Sequence, residues 1–284
     1  MSTLRIAVGF KVTPDYEALR PADWARAGRP RADGTSVAGP DVRFVRRVLG
    51  PFDEAALELA LRVRDARAGR GLHTELAAFS IAGREADPFL ETLQALGYER
   101  ACRVEPGADL DFAPAATARL VAACAQRLGG DVLLLGAQGG PGDSGLVPFL
   151  AAEALGRPCL TQVTDVDAEG EAGPRVTWAD GRSRLRARVA PPCVLAVGNA
   201  LVSMLRVPTL KDRLAVRDTV AEVLSPADLG IDVAALLTRE PVALSGFSAV
   251  ERGRAGRVIE GASAKDKARA LFEGELRSRL ELQR

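Results

Sequence analysis

The chain reads as an α/β protein built on a parallel sheet with flanking helices. Three observations predict this class. Short apolar runs, such as residues 4–10 and 131–135, have the unbroken hydrophobicity of strands covered on both faces. Segments of helical periodicity lie between them, several closed by glycine. The alternation of the two kinds of segment is the pattern of crossover connections in a parallel sheet.

Composition narrows the function classes. The 284 residues are 47% hydrophobic and 26% charged, which gives a globular chain with a full core. Lys plus Arg (38) balance Asp plus Glu (37), so no net field favours a polyanion, and nucleic acid is not expected as a partner. No apolar run nears the ~20 residues of a membrane-spanning helix, and the start lacks the features of a secretory signal. The expectation is a soluble cytoplasmic protein without membrane insertion. Cys102, Cys124, Cys159 and Cys193 are scattered, and His73 is the one histidine. A zinc site, a disulfide framework and Ser-His-Asp or Cys-His catalysis therefore lack support, and buried free thiols are expected.

The elements follow in order. Residues 4–10 form a first buried strand. Residues 13–50, with Pro14, Pro21, Pro30 and Pro40, read as a long irregular excursion that has room for a short hairpin or helix. Pro51, Asp53 and Glu54 open a helix, since proline suits the first helical position and acids suit the positive end of the dipole. Phe52, Ala56, Leu59 and Val63 form its apolar stripe, with Glu58, Arg62 and Asp65 on the other face. A strand near 74–80, a helix near 87–96 closed by Gly97, a short strand at 101–104 and a helix over 115–128 closed by Gly129 and Gly130 continue the alternation. Residues 131–135 are the clearest buried strand. They run into a loop holding five glycines in the ten residues 136–145, followed by a helix through Leu155. After Pro158, the segments 160–166, 175–178 and 183–189 alternate like antiparallel strands, and 193–197 returns as an apolar strand. From Asn199 the chain is basic and irregular until a final helix over 263–282, whose stripe is Ala268, Leu271, Phe272 and Leu276.

The glycine loop carries the chemistry. A strand, glycines and then a helix place free backbone amides at a positive helix end, which suits phosphate; a purely structural turn is equally open from the residues alone. Asp143 and Ser144 suit capping of the next helix or contact with a ribose or phosphate. The loop lacks the lysine of a phosphate-transferring P-loop, and it is not a Gly-x-Gly-x-x-Gly turn after the first strand. Residues 139–144 resemble the Ser-Gly-Gly-x-Asp-Ser loop of adenylate-forming PP-loop enzymes, with an extra residue, no leading serine and a position after about the fourth strand.

Taken together, the segments resemble the β subunit of electron-transfer flavoproteins. Leu4-Arg5-Ile6-Ala7-Val8-Gly9-Phe10-Lys11 resembles its first strand, and Gly50-Pro51-Phe52-Asp53-Glu54-Ala55-Ala56 its Asn-Pro-Phe-Asp-Glu helix start. Gly136-Ala137-Gln138 followed by Gly142-Asp143-Ser144 and Val147 resembles the family's nucleotide loop. Arg206-Val207-Pro208-Thr209-Leu210-Lys211 and Pro226-Ala227-Asp228-Leu229-Gly230-Ile231 resemble two later segments. The resemblance implies an adenine-nucleotide α-hydrolase-like domain at 1–198, with a long loop at 13–50 and an antiparallel annex at 159–190. Residues 199–284 would supply a partner-recognition loop and a C-terminal arm. It further implies a non-catalytic carrier subunit that pairs with a flavin-carrying α subunit and passes electrons between flavin dehydrogenases and a quinone reductase or other acceptor. FAD would be shared with or bound by the α subunit, and AMP or a second FAD would fill the β pocket.

Carried over by position, Gly9 and Phe10 would line the adenine side, and Gly50, Pro51, Phe52 and Asp53 would border the nucleotide. Ile81 would sit at a strand end. Gly136, Gln138, Gly142, Asp143, Ser144, Gly145 and Val147 would wrap ribose and phosphate. Leu201, Val202, Met204, Leu205 and Arg206 would face a partner. Phe52 also suits a helix staple, Gln138 a loop brace, and the 201–205 leucine-rich run a continuation of the core. Three positions depart from the family pattern: Ala137 replaces a lysine, Pro141 an acid and Leu146 a glutamine. A PP-loop-like adenylating or nucleotide-hydrolysing enzyme, and a degenerate scaffold subunit without redox cofactor, are the competing readings.

Overall fold

Residues 3–24, 27, 39–168, 173–239, 256 and 258–281 are described by a computed structural model. The first strand, β1 (Leu4–Gly9), leads into β2 (Val12–Pro14), the one-turn helix α1 (Pro21–Trp24) and β3 (Arg47–Leu49). β2 and β3 pair antiparallel, Val12 opposite Leu49, so the long excursion is closed at its base by a two-stranded ladder. Helix α2 (Pro51–Ala68) follows, with Gly50 at its N-cap and Pro51 in its first turn. The alternation then runs β4 (Thr74–Ile81), α3 (Asp87–Ala95), β5 (Arg100–Val104), α4 (Pro114–Leu128), β6 (Val132–Gly136) and α5 (Val147–Leu155). Helices α4 and α5 both end on left-handed glycines, Gly129 at φ +69° and Gly156 at φ +63°, a conformation that a side chain would penalise.

The chain continues through β7 (Cys159–Asp167), β8 (Arg175–Asp180), β9 (Ser183–Arg188), β10 (Cys193–Val197), α6 (Leu210–Ala215), β11 (Glu222–Leu224) and α7 (Val233–Leu237). The main sheet has nine strands in the order β11-β5-β4-β1-β6-β10-β7-β8-β9. From β11 to β7 every neighbouring pair is parallel, and β8 and β9 then add antiparallel. The antiparallel strands thus extend the main sheet, and β7 belongs to both ladders. Strand β11, drawn from beyond residue 199, extends the opposite edge beside β5.

Period-two alternation separates two cores. On one face Ile6, Val8, Leu76, Val132, Leu134 and Leu195 pack with α2 and α3, through Leu57, Leu61, Leu90 and Leu93. On the other, Ala7, Ala77, Phe79, Leu133, Leu135 and Val194 pack with α4 and α5, through Leu120, Val121, Cys124 and Ala151. Ala56, Leu59 and Val63 of the expected α2 stripe are buried, but so is Glu58, which the sequence places on the polar face. Its cover is Arg206, described below. Tyr98, also buried, donates its hydroxyl to the Leu57 carbonyl oxygen at 2.8 Å. Cys102, Cys124 and Cys193 are buried free thiols, and Cys159 is half-buried.

Residues 1–247 form one compact unit and 248–284 a second. The second holds α8 (Ala264–Leu271), a π-helical turn over Phe272–Leu276 and α9 (Arg277–Glu281). Ser263 caps α8 by accepting the Asp266 amide at 3.2 Å. Among the described residues no helix is long and apolar enough to cross a membrane.

Candidate functional site

The order of the sheet fixes where a ligand can sit. The connection from β1 leads to β4 on one side and that from β6 leads to β7 on the other, so the chain leaves the carboxyl ends of these two neighbouring strands in opposite directions. Ligands of open α/β sheets bind at such a point. A cavity of about 270 Å³ lies there, lined by the ends of β1, β4 and β6, the start of α2, the 110–112 turn with the first half of α4, and the glycine loop.

The lining brings together Gly9, Phe10, Asp53, Ile81, Gly136, Gln138, Gly142, Asp143, Ser144, Gly145 and Val147. Gly50, Pro51 and the half-buried Phe52 lie outside it and form the helix start that delivers Asp53. Sequence reasoning did not place Lys11, Phe79, Leu110, Asp111, Phe112, Thr117 or Val121 in the lining. Lys11 carried a signal as the residue closing the first-strand motif. The 110–112 turn carried none, because its position depends on β5 lying beside β4.

Glycine is demanded by contact at the cavity floor. A Cβ on Gly9 would come within 2.6 Å of Leu135 and 2.9 Å of the Phe79 ring. At Gly136 it would meet the Asp53 carboxylate at 2.8 Å. Gly142, at φ +89°, lies against the carbonyl oxygen of Asp111, where a side chain has no room.

The loop braces itself. Gln138 Nε2 donates to Asp143 Oδ2 at 3.3 Å, and Ser144 Oγ accepts the Leu146 amide at 3.3 Å. The Gly140–Pro141 peptide is cis. Lys11 Nζ reaches across the crevice to the Pro141 carbonyl oxygen at 3.1 Å and to Asp111 Oδ1 at 3.4 Å. It thereby sets an ammonium beside the loop, where Ala137 offers none. No side chain caps α5, so its first turn opens toward the cavity with the positive end of the dipole.

Asp53 is the buried charge of the site. Burial pushes its carboxyl up to about 7, against the backbone amides of Lys11 and Gly136 and the Lys11 charge, all of which favour the ionised form. Burial also raises Asp111, opposed by Lys11 and assisted by Asp109. The lining thus pairs one ammonium with three carboxyls, those of Asp53, Asp111 and Asp143, alongside an apolar wall of Phe79, Ile81, Leu110, Val121 and Leu135. This surface suits a flat apolar ring, and any anionic group would depend on Lys11 and on backbone amides.

The segment expected to face a partner divides in two. Leu201 and Met204 are 68% and 75% exposed, whereas Val202 and Leu205 are half-buried, Leu205 against the α2-side core. Arg206 is engaged within the chain. Its Nη2 donates to Glu58 Oε1 at 2.7 Å, its Nε to both Glu58 oxygens at 3.0 Å, and its Nη1 to Asp65 Oδ2 at 2.6 Å. The Arg206 amide also donates to Glu58 at 3.1 Å and the Leu205 amide to Glu54 at 3.3 Å. Three acids of α2 therefore hold the segment down. These hydrogen bonds, first of all those to Glu58, raise the guanidinium well above its ordinary value despite burial.

The model of the electron transfer flavoprotein domain matches residues 43–229. The chain is 31% identical to the putative electron transfer flavoprotein subunit YgcR of Escherichia coli (strain K12), over 98% of this chain and 100% of that one. It is 28% identical to electron transfer flavoprotein subunit beta of Homo sapiens, over 84% of this chain and 88% of that one. With the probable beta subunit of Schizosaccharomyces pombe the identity is 26%, over 82% and 85%.

Proposed function

Because the chain belongs to the electron transfer flavoprotein family, as a divergent relative of its β subunits, we propose that it is the β-type half of a two-subunit electron carrier. In this reading it pairs with a flavin-binding α subunit and serves flavin dehydrogenases and an electron acceptor. The carrying observation is the glycine loop, which lines a cavity at the switch point of the sheet and is followed by an uncapped helix start. That crevice is proposed to take an adenine nucleotide.

The fit is asymmetric. At about 270 Å³ the cavity falls just below the roughly 300–1,000 Å³ usual for small-molecule pockets, which favours a mononucleotide over a whole dinucleotide. Phe79, Ile81 and Leu135 would hold the base; the Gly142–Gly145 backbone and Lys11 would hold ribose and phosphate. A bound flavin would supply the one- and two-electron chemistry. The work of this chain is positional. Asp53 ties the ends of β1 and β6 to α2 through the amides of Lys11 and Gly136, Gln138 and Ser144 set the loop, and the apolar wall excludes water from the base.

A scaffold reading, with no redox cofactor in the crevice, draws on the three carboxyls of the lining and on Ala137. An adenylating enzyme is disfavoured by the loop's place after β6, the fourth strand of the main sheet in chain order. The test is to purify the chain with its co-expressed α subunit, denature the complex and identify the released nucleotides per β chain. FAD with AMP supports the carrier reading, and two FAD support its flavin-splitting form. FAD alone favours the scaffold. An isolated chain that binds no α subunit and consumes ATP overturns the carrier reading.

A further inference from the structure

The chain as a whole is nearly neutral, yet the segment at one edge of the sheet carries a local excess of positive charge. Residues 173–189 contain five arginines, Arg175, Arg182, Arg184, Arg186 and Arg188, against the single acid Asp180. All six residues of β9 are exposed, and among the described residues no strand pairs with its outer side. Alternation puts Arg184, Arg186 and Arg188 on one face of β9 and Ser183, Leu185 and Ala187 on the other.

The fold uses little of this charge for its own stability. The register sets Arg175 directly opposite Arg188, a like-charge pair that weakens the ladder. Arg186 Nη2 reaches Asp167 Oδ2 at 3.2 Å, which leaves two charges of the row without a carboxylate. The Arg188 side chain has only a long contact, 3.5 Å, to the Gly173 carbonyl oxygen, and the Arg184 side chain makes no hydrogen bond or ion pair among the described residues.

We propose that the outer edge of β9 docks an extended acidic strand of a partner protein, which joins the sheet with its carboxylates facing Arg184, Arg186 and Arg188. The reasoning is geometric. An edge strand offers main-chain donors and acceptors to an added strand, whose alternate side chains repeat every ~6.7 Å, the same repeat as the arginines. Directly opposed residues on one face come within reach of charge-assisted, bidentate hydrogen bonds. The other face presents Leu185, 40% exposed and paired in register with Trp178, so the positions between the acids suit apolar side chains. The recognised pattern is acid-apolar-acid-apolar-acid. A nucleic acid satisfies the charge alone, lacking both the backbone ladder and a partner for Leu185.

The test uses the full chain and a fluorescent Glu-Val-Glu-Val-Glu-Val peptide followed by anisotropy. It should bind saturably and about tenfold tighter than Glu-Glu-Glu-Val-Val-Val of equal charge, because only the alternating peptide meets both faces. Arg184→Glu with Arg188→Glu should abolish binding without lowering the melting temperature, since both sites are exposed and the exchange at 188 turns a like-charge pair with Arg175 into an opposite-charge one. Methylating alternate peptide nitrogens should abolish it in one of the two phases, the one that removes the ladder donors. Equal affinity for the blocked peptide, binding indifferent to the arginine changes, or indifference to methylation in both phases would overturn the proposal. So would tighter binding of an oligothymidylate of the same length, which would make the edge a general polyanion surface.

Discussion

Asp53 keeps a carboxyl at the junction of three elements with little water around it, and the consequence is a pH dependence of defined sign. Its proton is held up to about 7 in the folded chain, against an ordinary value of 3.8. Between those values the folded state binds a proton that the unfolded state has released. Stability therefore falls as pH rises from about 4 to about 7, by up to roughly 4 kcal/mol from this group alone. Asp53→Asn keeps a carbonyl to accept the Lys11 and Gly136 amides and removes the charge. The difference in melting temperature between variant and parent should move in the variant's favour across that window; parallel curves would refute the assignment. Gly142 makes a second prediction at this scale. Alanine there must hold φ near +89° with its Cβ against the Asp111 carbonyl, so Gly142→Ala should cost about 1–3 kcal/mol. Thermal melting reads that cost, and the nucleotide count of the purified complex reads its effect on the crevice. Gly142 and Asp143 were marked by the sequence because a glycine cluster between a strand and a helix suits phosphate, although it suits a structural turn equally well. Lys11 with Asp111 was not, since a bridge across 100 residues leaves no local trace.

At the scale of elements, α2 departs most from what its periodicity predicts. The stripe Ala56, Leu59 and Val63 packs as the 3.6-residue repeat requires, yet Glu58 on the other side is just as buried. A pattern on one helix cannot reveal that a segment about 150 residues later will lay an arginine over it. The clasp has a measurable size. Arg206→Ala leaves Glu58 buried without its partner and should cost about 3 kcal/mol, the low end for a broken buried pair because solvent reaches part of the guanidinium. Glu58→Leu combined with Arg206→Met should recover most of it, since well-packed apolar replacements of buried pairs are often near neutral. Denaturant titration of the two single variants and the double variant closes the cycle; additive losses would mean that the two residues act independently. The helices α3, α4 and α5 and the strands β1, β4, β5 and β6 were legible because each carries its own apolar period and most of the helices end on a glycine. The three-residue β11 was not, since only its pairing with β5 makes it a strand.

For the molecule as a whole, every buried core residue among those described lies between Ile6 and Val233. A chain stopped after residue 247 should therefore keep its cooperative melting transition at an unchanged temperature. A lowered or broadened transition would show that 248–284 contributes to the stability of the first unit. The fold class was readable from the alternation of elements, and the strand order was not, because order is decided by long-range packing that no short window records. Helix α2 has one further consequence. From Asp53 at the crevice to Glu58 under the Arg206 clasp is five residues of continuous helix, about 7.5 Å at 1.5 Å per residue. A rod of that kind works as a ruler: whatever rests on the 201–205 segment stands at a set distance from whatever fills the crevice, and in electron transfer, distance governs rate.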